Sequence, residues 1–188
     1  MGINEGLNYV KSDWKKLFYS LWSLLPIIGW WALLGYNLDV INSLRKKEKG
    51  LPKLNFKKSF GEGFMYSIHL LGFFIVTSVL SYVLGYIPII GAYLSWLIGF
   101  LISLVIGLLT VHYAEERKFK NLLDYKKAID LIKKDFIGLI VLYLKIIVTA
   151  IIGLFVVTIS AIGVILPIIV SFGLGVIIQN FYVEYYNQ

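Results

Sequence analysis

Two long, almost uncharged stretches constrain this chain most, residues 64–112 and 136–181. Short of their ends, only His69 in the first stretch and Lys145 in the second interrupt the apolar sequence with a histidine or a charged side chain. A continuous apolar run of about 20 residues indicates a membrane-spanning helix, and each stretch is long enough for two. The sequence therefore predicts an all-α, polytopic transmembrane helical bundle.

The composition supports the same class of protein. Hydrophobic residues make up 59% of the 188-residue chain, and the mean hydropathy is +0.79, which is too apolar for a water-soluble domain of this size. The chain has no cysteine, which excludes disulfides and thiol chemistry. The two histidines, His69 and His112, belong to no recognisable catalytic or metal-binding motif. We therefore expect a non-enzymatic protein without catalytic residues, metal or cofactor.

The net charge of +7 is concentrated in two linkers between apolar segments. The basic residues of these linkers are Arg45, Lys46, Lys47, Lys49, Lys53, Lys57 and Lys58, and then Arg117, Lys118, Lys120, Lys126, Lys127, Lys133 and Lys134. Lysine and arginine accumulate on the cytoplasmic side of membrane proteins, so we expect a multi-pass protein of the cell membrane with both linkers in the cytoplasm. This distribution argues against nucleic-acid binding and favours contact with anionic lipid headgroups.

Two short phrases recur three times along the chain, always in the same order. The phrases are Val10–Trp14, Phe56–Phe60 and Ile132–Phe136, followed by the apolar-Pro-Ile-Ile sequences Leu25–Ile28, Ile87–Ile90 and Leu166–Ile169. Such self-similarity indicates repeated structural units. It predicts a single transmembrane domain over residues 1–188, built from three repeated hairpin-like units at about 6–44, 52–116 and 124–188. The turns around 86–92 and 160–167 carry no charge.

The first unit is shorter than the other two. The segments 60–87 and 136–166 would form helices of about 42 and 46 Å, enough to cross an apolar layer of about 30 Å, whereas residues 14–25 would reach only about 18 Å. The first unit is therefore either a short or re-entrant hairpin or one tilted span from Leu17 to Leu38. The charge pattern favours the hairpin, because it keeps both chain termini on the side of the basic linkers.

Polar residues in the first phrase predict where helices begin. Asp13, Ser59 and Asp135 each precede an aromatic residue, and their side chains suit acceptance from the free N–H groups of a first helical turn. Apolar residues recur at spacings of three and four over residues 6–25 and again over 121–135. This spacing predicts amphipathic helices that lie partly in the membrane interface.

Small residues recur every four positions after Pro88. They are Gly91, Ser95, Gly99, Ser103 and Gly107, which we call the small-residue stripe. Small side chains let two helix backbones approach closely inside a membrane. The stripe therefore predicts packing against a helix of the same chain, of a second copy in a homo-oligomer, or of another membrane protein.

Ser23, His69 and Lys145 occupy equivalent positions in the three units, nine residues after the aromatic residue. Nine helical residues span about 13 Å, so His69 and Lys145 lie within the apolar layer, where ionisable side chains are costly and often functional. We interpret these residues as a candidate polar site, with Glu62 as a partner on the same helical face as His69. The structural alternative is a lysine that extends towards the surface and a histidine hydrogen-bonded within a packed core.

Further polar residues mark the ends of the second helix of each unit. They are Asn37 with Asp39, His112 with Glu115 and Glu116, and Asn180 with Glu184. We interpret them either as a site for a cation or a headgroup or as side chains that meet water where a helix leaves the bilayer.

The segment Leu25–Tyr36, the linker sequence Gly50–Leu54 and the motif Phe60–Gly63 resemble family 4013 of domains of unknown function, a prokaryotic family of small polytopic membrane proteins. The resemblance is clearest over residues 20–70. It implies a membrane location and several helices, and it supplies no activity and no site residues.

Two functions fit these observations. The first is a non-enzymatic membrane component that binds lipid or a protein partner through its basic linkers and small-residue stripe. The alternative is a small transporter or channel with a polar site at His69 and Lys145. A lipid-acting enzyme that uses Glu62, His69 or Glu115 has no motif in its favour.

Overall fold

The computed structural model describes residues 3–88, 90–159 and 165–188. Helices dominate these residues, and no strand occurs among them. The α-helices are α1 (Ile3–Ser12), α2 (Ile28–Arg45), α3 (Phe56–Leu84), α4 (Ile90–Glu116), α5 (Phe119–Leu122), α6 (Tyr125–Lys134), α7 (Phe136–Ile159) and α8 (Ile165–Tyr186). A 3₁₀ helix (Trp14–Leu24) lies between α1 and α2.

Four helices are long and apolar enough to cross a membrane: α3, α4, α7 and α8. Their apolar segments contain 20 to 29 residues, which corresponds to at least about 30 Å of helix. Large apolar side chains such as Leu71, Phe74 and Ile75 on α3 face outwards, a surface suited to lipid and unsuited to water. The predicted all-α architecture with membrane-spanning helices is therefore supported.

α2 is the most buried helix. Ala32, Tyr36, Leu38 and Val40 are almost fully buried where α2 packs against α3, α4 and α8. The contact with α3 is unusually close, because a Cβ atom at Gly35 would meet the backbone carbonyl of Ser59 and one at Gly63 would meet that of Trp31. Glycine at both positions lets the two backbones touch.

The N-terminal region differs from the helix predicted over residues 6–25. That prediction was wrong in one respect, because the chain breaks at Asp13 and continues as the 3₁₀ helix. A second break follows at Ile27, whose φ of 66° lies in the left-handed region. A single helix from Leu17 to Leu38 is therefore not formed. The 3₁₀ helix instead packs against α2 and α8.

The structure tests the three predicted caps individually. The Asp135 carboxylate accepts from the Gly138 N–H at 2.8 Å, as predicted for the start of α7. The prediction for Ser59 was wrong, because α3 begins earlier and Asn55 accepts from the Lys58 N–H. Asp13 precedes the 3₁₀ helix without a side-chain cap bond, since its carboxylate pairs with Lys16.

The uncharged turns differ in how much of them is described. Residues 85–88 form a turn between α3 and α4, although residue 89 lies outside the described residues. Most of the predicted turn at 160–167 also lies outside them, and α8 begins at Ile165.

Candidate functional site

Ionic and polar side chains gather at one end of the bundle, which we call the charged end. The C-termini of α2, α4 and α8 meet there with the N-termini of α3 and α7, and α5 and α6 complete it. Between residues 63 and 114, and again between 146 and 183, the sequence contains no acidic or basic residue except His69 and His112. Side chains that could bind a charged ligand are therefore concentrated at the charged end.

Arg117 lies at the centre of the first ionic cluster. Its guanidinium nitrogen Nη2 is 2.6 Å from Asp39 Oδ1, and Nη1 contacts the Glu62 carboxylate. Lys58 Nζ lies 3.3 Å from Asp39 and 3.9 Å from Glu62. The side chains of Arg117, Asp39 and Glu62 are at most a quarter exposed, so these ion pairs are less screened by solvent than surface pairs.

The backbone at Arg117 explains how this side chain reaches two helices. Its φ is 56°, a left-handed conformation that ends α4 and turns the chain towards α5. An arginine at this position can donate to two carboxylates at once through its planar fork. The cluster thus holds α2, α3 and the end of α4 together.

A second cluster surrounds His112 on α4. Arg45 of α2 lies 3.0 Å from Glu115, and the His112 ring nitrogen Nδ1 lies 2.8 Å from the Tyr186 hydroxyl. Lys127 Nζ is 3.3 Å from the same ring nitrogen and sits over the Tyr186 ring. These contacts join α2, α4, α6 and α8.

The N-terminal helix is anchored to the charged end by Tyr9. Its hydroxyl donates to Ser43 Oγ of α2 at 2.9 Å, and burial raises the pKa of Tyr9 above its ordinary value. Lys16 donates to the carbonyl of Leu51, and Asp13 lies beside Gly50. The start of the 3₁₀ helix and the linker after α2 therefore lie next to each other.

The structure places the predicted polar residues in three separate surroundings. Ser23 lines a cavity of about 420 Å³ between the 3₁₀ helix, α2 and α8. His69 Nδ1 lies 3.3 Å from the Tyr113 hydroxyl, and its ring packs on Phe119. Lys145 Nζ extends to Glu184 at 3.6 Å. Ser23, His69 and Lys145 do not form one pocket, and Glu62 contacts Arg117 and Lys58.

The residues of the small-residue stripe on α4 lie in different surroundings along the helix. Gly91 is buried against the carbonyl of Leu84 at the end of α3, and Gly107 contacts the ring of Tyr182 on α8. Ser95 lies in a narrow cleft towards α3. Gly99 and Ser103 are exposed, and a Cβ atom at Gly99 would meet open space.

Exposed lysines cover the outside of the charged end. They are Lys46, Lys47, Lys49, Lys53, Lys57, Lys58, Lys118, Lys120, Lys126, Lys133 and Lys134, with Lys11 and Lys15 on the adjoining N-terminal segment. The only arginines of the sequence, Arg45 and Arg117, both form the internal ion pairs described above. The sequence analysis grouped all these cations together and did not separate the paired arginines from the exposed lysines.

Within residues 3–88, 90–159 and 165–188, no three metal-ligating side chains converge.

These features define the class: an all-helical protein with four described helices suited to crossing a membrane, and with its charged side chains concentrated at one end. The chain belongs to the family described as protein of unknown function DUF4013, whose model matches residues 18–182. The resemblance seen in residues 20–70 is thus confirmed and extends over most of the chain. No curated protein and no solved structure matches it.

Proposed function

We propose that this protein is a non-enzymatic component of the cell membrane that binds anionic lipid headgroups through the exposed lysines of its charged end. The observation that carries the proposal is the division of the cations. The two largely buried arginines pair with carboxylates at the helix ends, whereas most of the lysines around them are exposed. Each basic residue near an anionic surface contributes about 1 kcal/mol of attraction.

The segment formed by α5 and α6 adds an apolar component. Phe119, Leu123, Tyr125 and Ile129 are exposed, although they belong to one of the two basic linkers. Exposed lysines accompany them at 118, 120, 126 and 133. Apolar side chains together with lysines are typical of helices that lie at the boundary between headgroups and acyl chains.

The positions of the two chain ends support the proposed orientation. The Tyr185 hydroxyl donates to the carbonyls of Leu131 and Asp135, and the Lys134 ammonium donates to the carbonyl of Gln188, so the C-terminus lies at the charged end. Tyr9 and Lys16 bring the N-terminal segment to the same end. This arrangement supports three out-and-back units, at about 6–44, 52–116 and 124–188, with both termini in the cytoplasm.

The lipid proposal is tested with Lys120, Lys126 and Lys133, which are exposed on or beside α5 and α6. A triple Lys→Gln variant removes three charges, and a triple Lys→Arg variant is the matched control that keeps them. Native mass spectrometry after extraction from membranes of mixed phosphatidylglycerol and phosphatidylcholine reports the lipids retained. We expect the glutamine variant to retain several-fold less phosphatidylglycerol than the wild type and the arginine variant to behave as wild type. Equal retention by all three proteins would refute the proposal.

Transport is the second candidate function, and one observation favours it. Lys145 and Glu184 form an ion pair between two helices that are suited to crossing the membrane, α7 and α8. A cavity of about 290 Å³ adjoins this pair, with Asp135 and Gln188 also in its wall. Ionisable side chains that face the interior of a bundle often mark an ion or proton path.

A further inference from the structure

A cavity of about 280 Å³ lies between α2, α4 and α8, with one side formed by α3. Its volume is close to the lower limit for small-molecule sites. Its wall consists of Leu34, Asn37, Leu38, Ile41, Tyr66, Gly107, Thr110, Val111, Gly175, Ile178, Gln179 and Tyr182. Ser23, His69 and Lys145 do not belong to this wall, so the cavity is distinct from the surroundings of the predicted polar residues.

The polar part of the wall is uncharged. Tyr66 and Thr110 hydrogen-bond to each other through their hydroxyls at 2.6 Å. Gln179 Oε1 is buried and accepts no hydrogen bond from the described residues. An amide oxygen without a partner in an apolar surrounding costs a few kcal/mol, so this position favours a ligand that donates a hydrogen bond.

The depth of the cavity matches the upper acyl region of a bilayer leaflet. Gln179 lies seven residues before the end of α8 at Tyr186 and Gly175 lies eleven before it, which corresponds to about 10 and 16 Å below the charged end. Most of the surface that the wall presents to the cavity is apolar.

The geometry points to a binding site for a neutral amphiphile with a single hydroxyl head and an aliphatic chain, of the fatty-alcohol class. The hydroxyl donates to Gln179 Oε1, and the chain lies along Leu34, Leu38 and Ile178. A charged head does not suit this wall, because no acidic or basic side chain belongs to it and an unpaired charge at this depth is costly. This inference is independent of the lysine-dependent binding proposed above.

Glycine positions allow a clean test. A Cβ atom at Gly175 would meet open space, and Gly175 lies in the wall, so the side chain of Gly175→Leu can extend into the cavity. Gly72 on α3 is exposed and equally open, and Gly72→Leu is therefore the matched control. Gln179→Leu removes the acceptor, and Gly175→Ala is a milder filling variant in case the leucine variant does not fold.

The experiment measures the melting temperature of the purified protein in micelles with n-decanol, and with n-decane as the probe that lacks a hydroxyl. We expect saturating decanol to raise Tm by about 4 °C in the wild type and in Gly72→Leu. The rise should be absent in Gly175→Leu, smaller in Gly175→Ala and Gln179→Leu, and absent with decane. A rise that is equal with decane, equal in Gly175→Leu or Gly175→Ala, or missing in the wild type would overturn the inference.

Discussion

The guanidinium of Arg117 lies 2.6 Å from the carboxylate of Asp39, and these residues are 78 positions apart in the chain. The same guanidinium also contacts Glu62, so one side chain joins α2, α3 and the end of α4. Arg45 makes the comparable connection between α2 and Glu115. Both arginines hold helix ends together, and most of the lysines remain exposed.

We expect Asp39→Asn to lower the free energy of unfolding by about 2 kcal/mol, because a partly buried guanidinium loses one of its two carboxylates. Unfolding of the purified protein in micelles, followed by circular dichroism, measures the change. Lys118→Gln is the control, since the Lys118 side chain is exposed and pairs with the exposed Glu116. The double variant Asp39→Asn with Arg117→Gln should be less destabilised than the sum of the single variants. Additive losses would show that the two residues are not coupled.

The contact between α2 and α3 gives a second prediction. Gly63→Ala places a Cβ atom against the carbonyl of Trp31, so we expect it to destabilise the protein by about 3 kcal/mol or to prevent folding. Gly61→Ala lies two residues away on the exposed side of the same helix, where a Cβ atom meets open space. It should leave stability unchanged or raise it by up to about 1 kcal/mol. The melting temperatures of the two variants are measured by thermal unfolding. Equal values for Gly63→Ala and Gly61→Ala would contradict a close contact between α2 and α3 at Gly63.

The sequence predicted the spanning helices well and the packing between them poorly. Charge-free runs such as 64–112 leave few alternatives to membrane helices, because every backbone polar group must be satisfied within the segment. The contact of Gly35 with Gly63 was missed, because these glycines do not form a periodic pattern like the stripe on α4. Which glycine faces a neighbour depends on how α2 and α3 are rotated, and a single sequence does not contain that information.

The same limit applies to the candidate site. Asp39 and Glu115 were recognised as carboxylates at helix ends, but their partners Arg117 and Arg45 are distant in sequence. The presence of only two arginines among many lysines was a usable signal, since arginine suits partly buried pairs with carboxylates. The break at Asp13 was not predictable from hydrophobic spacing, because Lys15 and Lys16 fit a helical pattern as well as they fit the 3₁₀ helix.

Substitution of Lys145, which pairs with Glu184, distinguishes headgroup binding from transport. If the protein binds headgroups only, Lys145→Leu should fold and should retain as much phosphatidylglycerol as the wild type, because the half-buried Lys145 pairs with Glu184 and is not one of the exposed lysines. His69→Leu should behave in the same way. The measurements are native mass spectrometry and proton flux into liposomes containing an internal pH-sensitive dye. A flux in the wild type that either variant abolishes would instead establish transport.

The exposed part of the small-residue stripe predicts association with a second copy. Gly99 is exposed and a Cβ atom there would meet open space, so Gly99→Leu should fold while obstructing a helix that packs there. We expect native mass spectrometry to show a dimer for the wild type and for Gly72→Leu, and a monomer for Gly99→Leu. A wild-type protein that is monomeric in mild detergent would contradict this prediction.

The proposed orientation can be tested directly because the chain contains no cysteine, so each introduced thiol is the only one. Glu5→Cys and Lys49→Cys place thiols at the charged end, and Tyr86→Cys places one in the exposed turn between α3 and α4. Basic segments stay on the cytoplasmic side, so a membrane-impermeant maleimide should label Tyr86→Cys in intact cells. It should reach Glu5→Cys and Lys49→Cys only after the membrane is permeabilised. Labelling of residues 5 and 49 from opposite sides would mean that residues 14–45 cross the membrane once, and the three-unit arrangement would then be wrong.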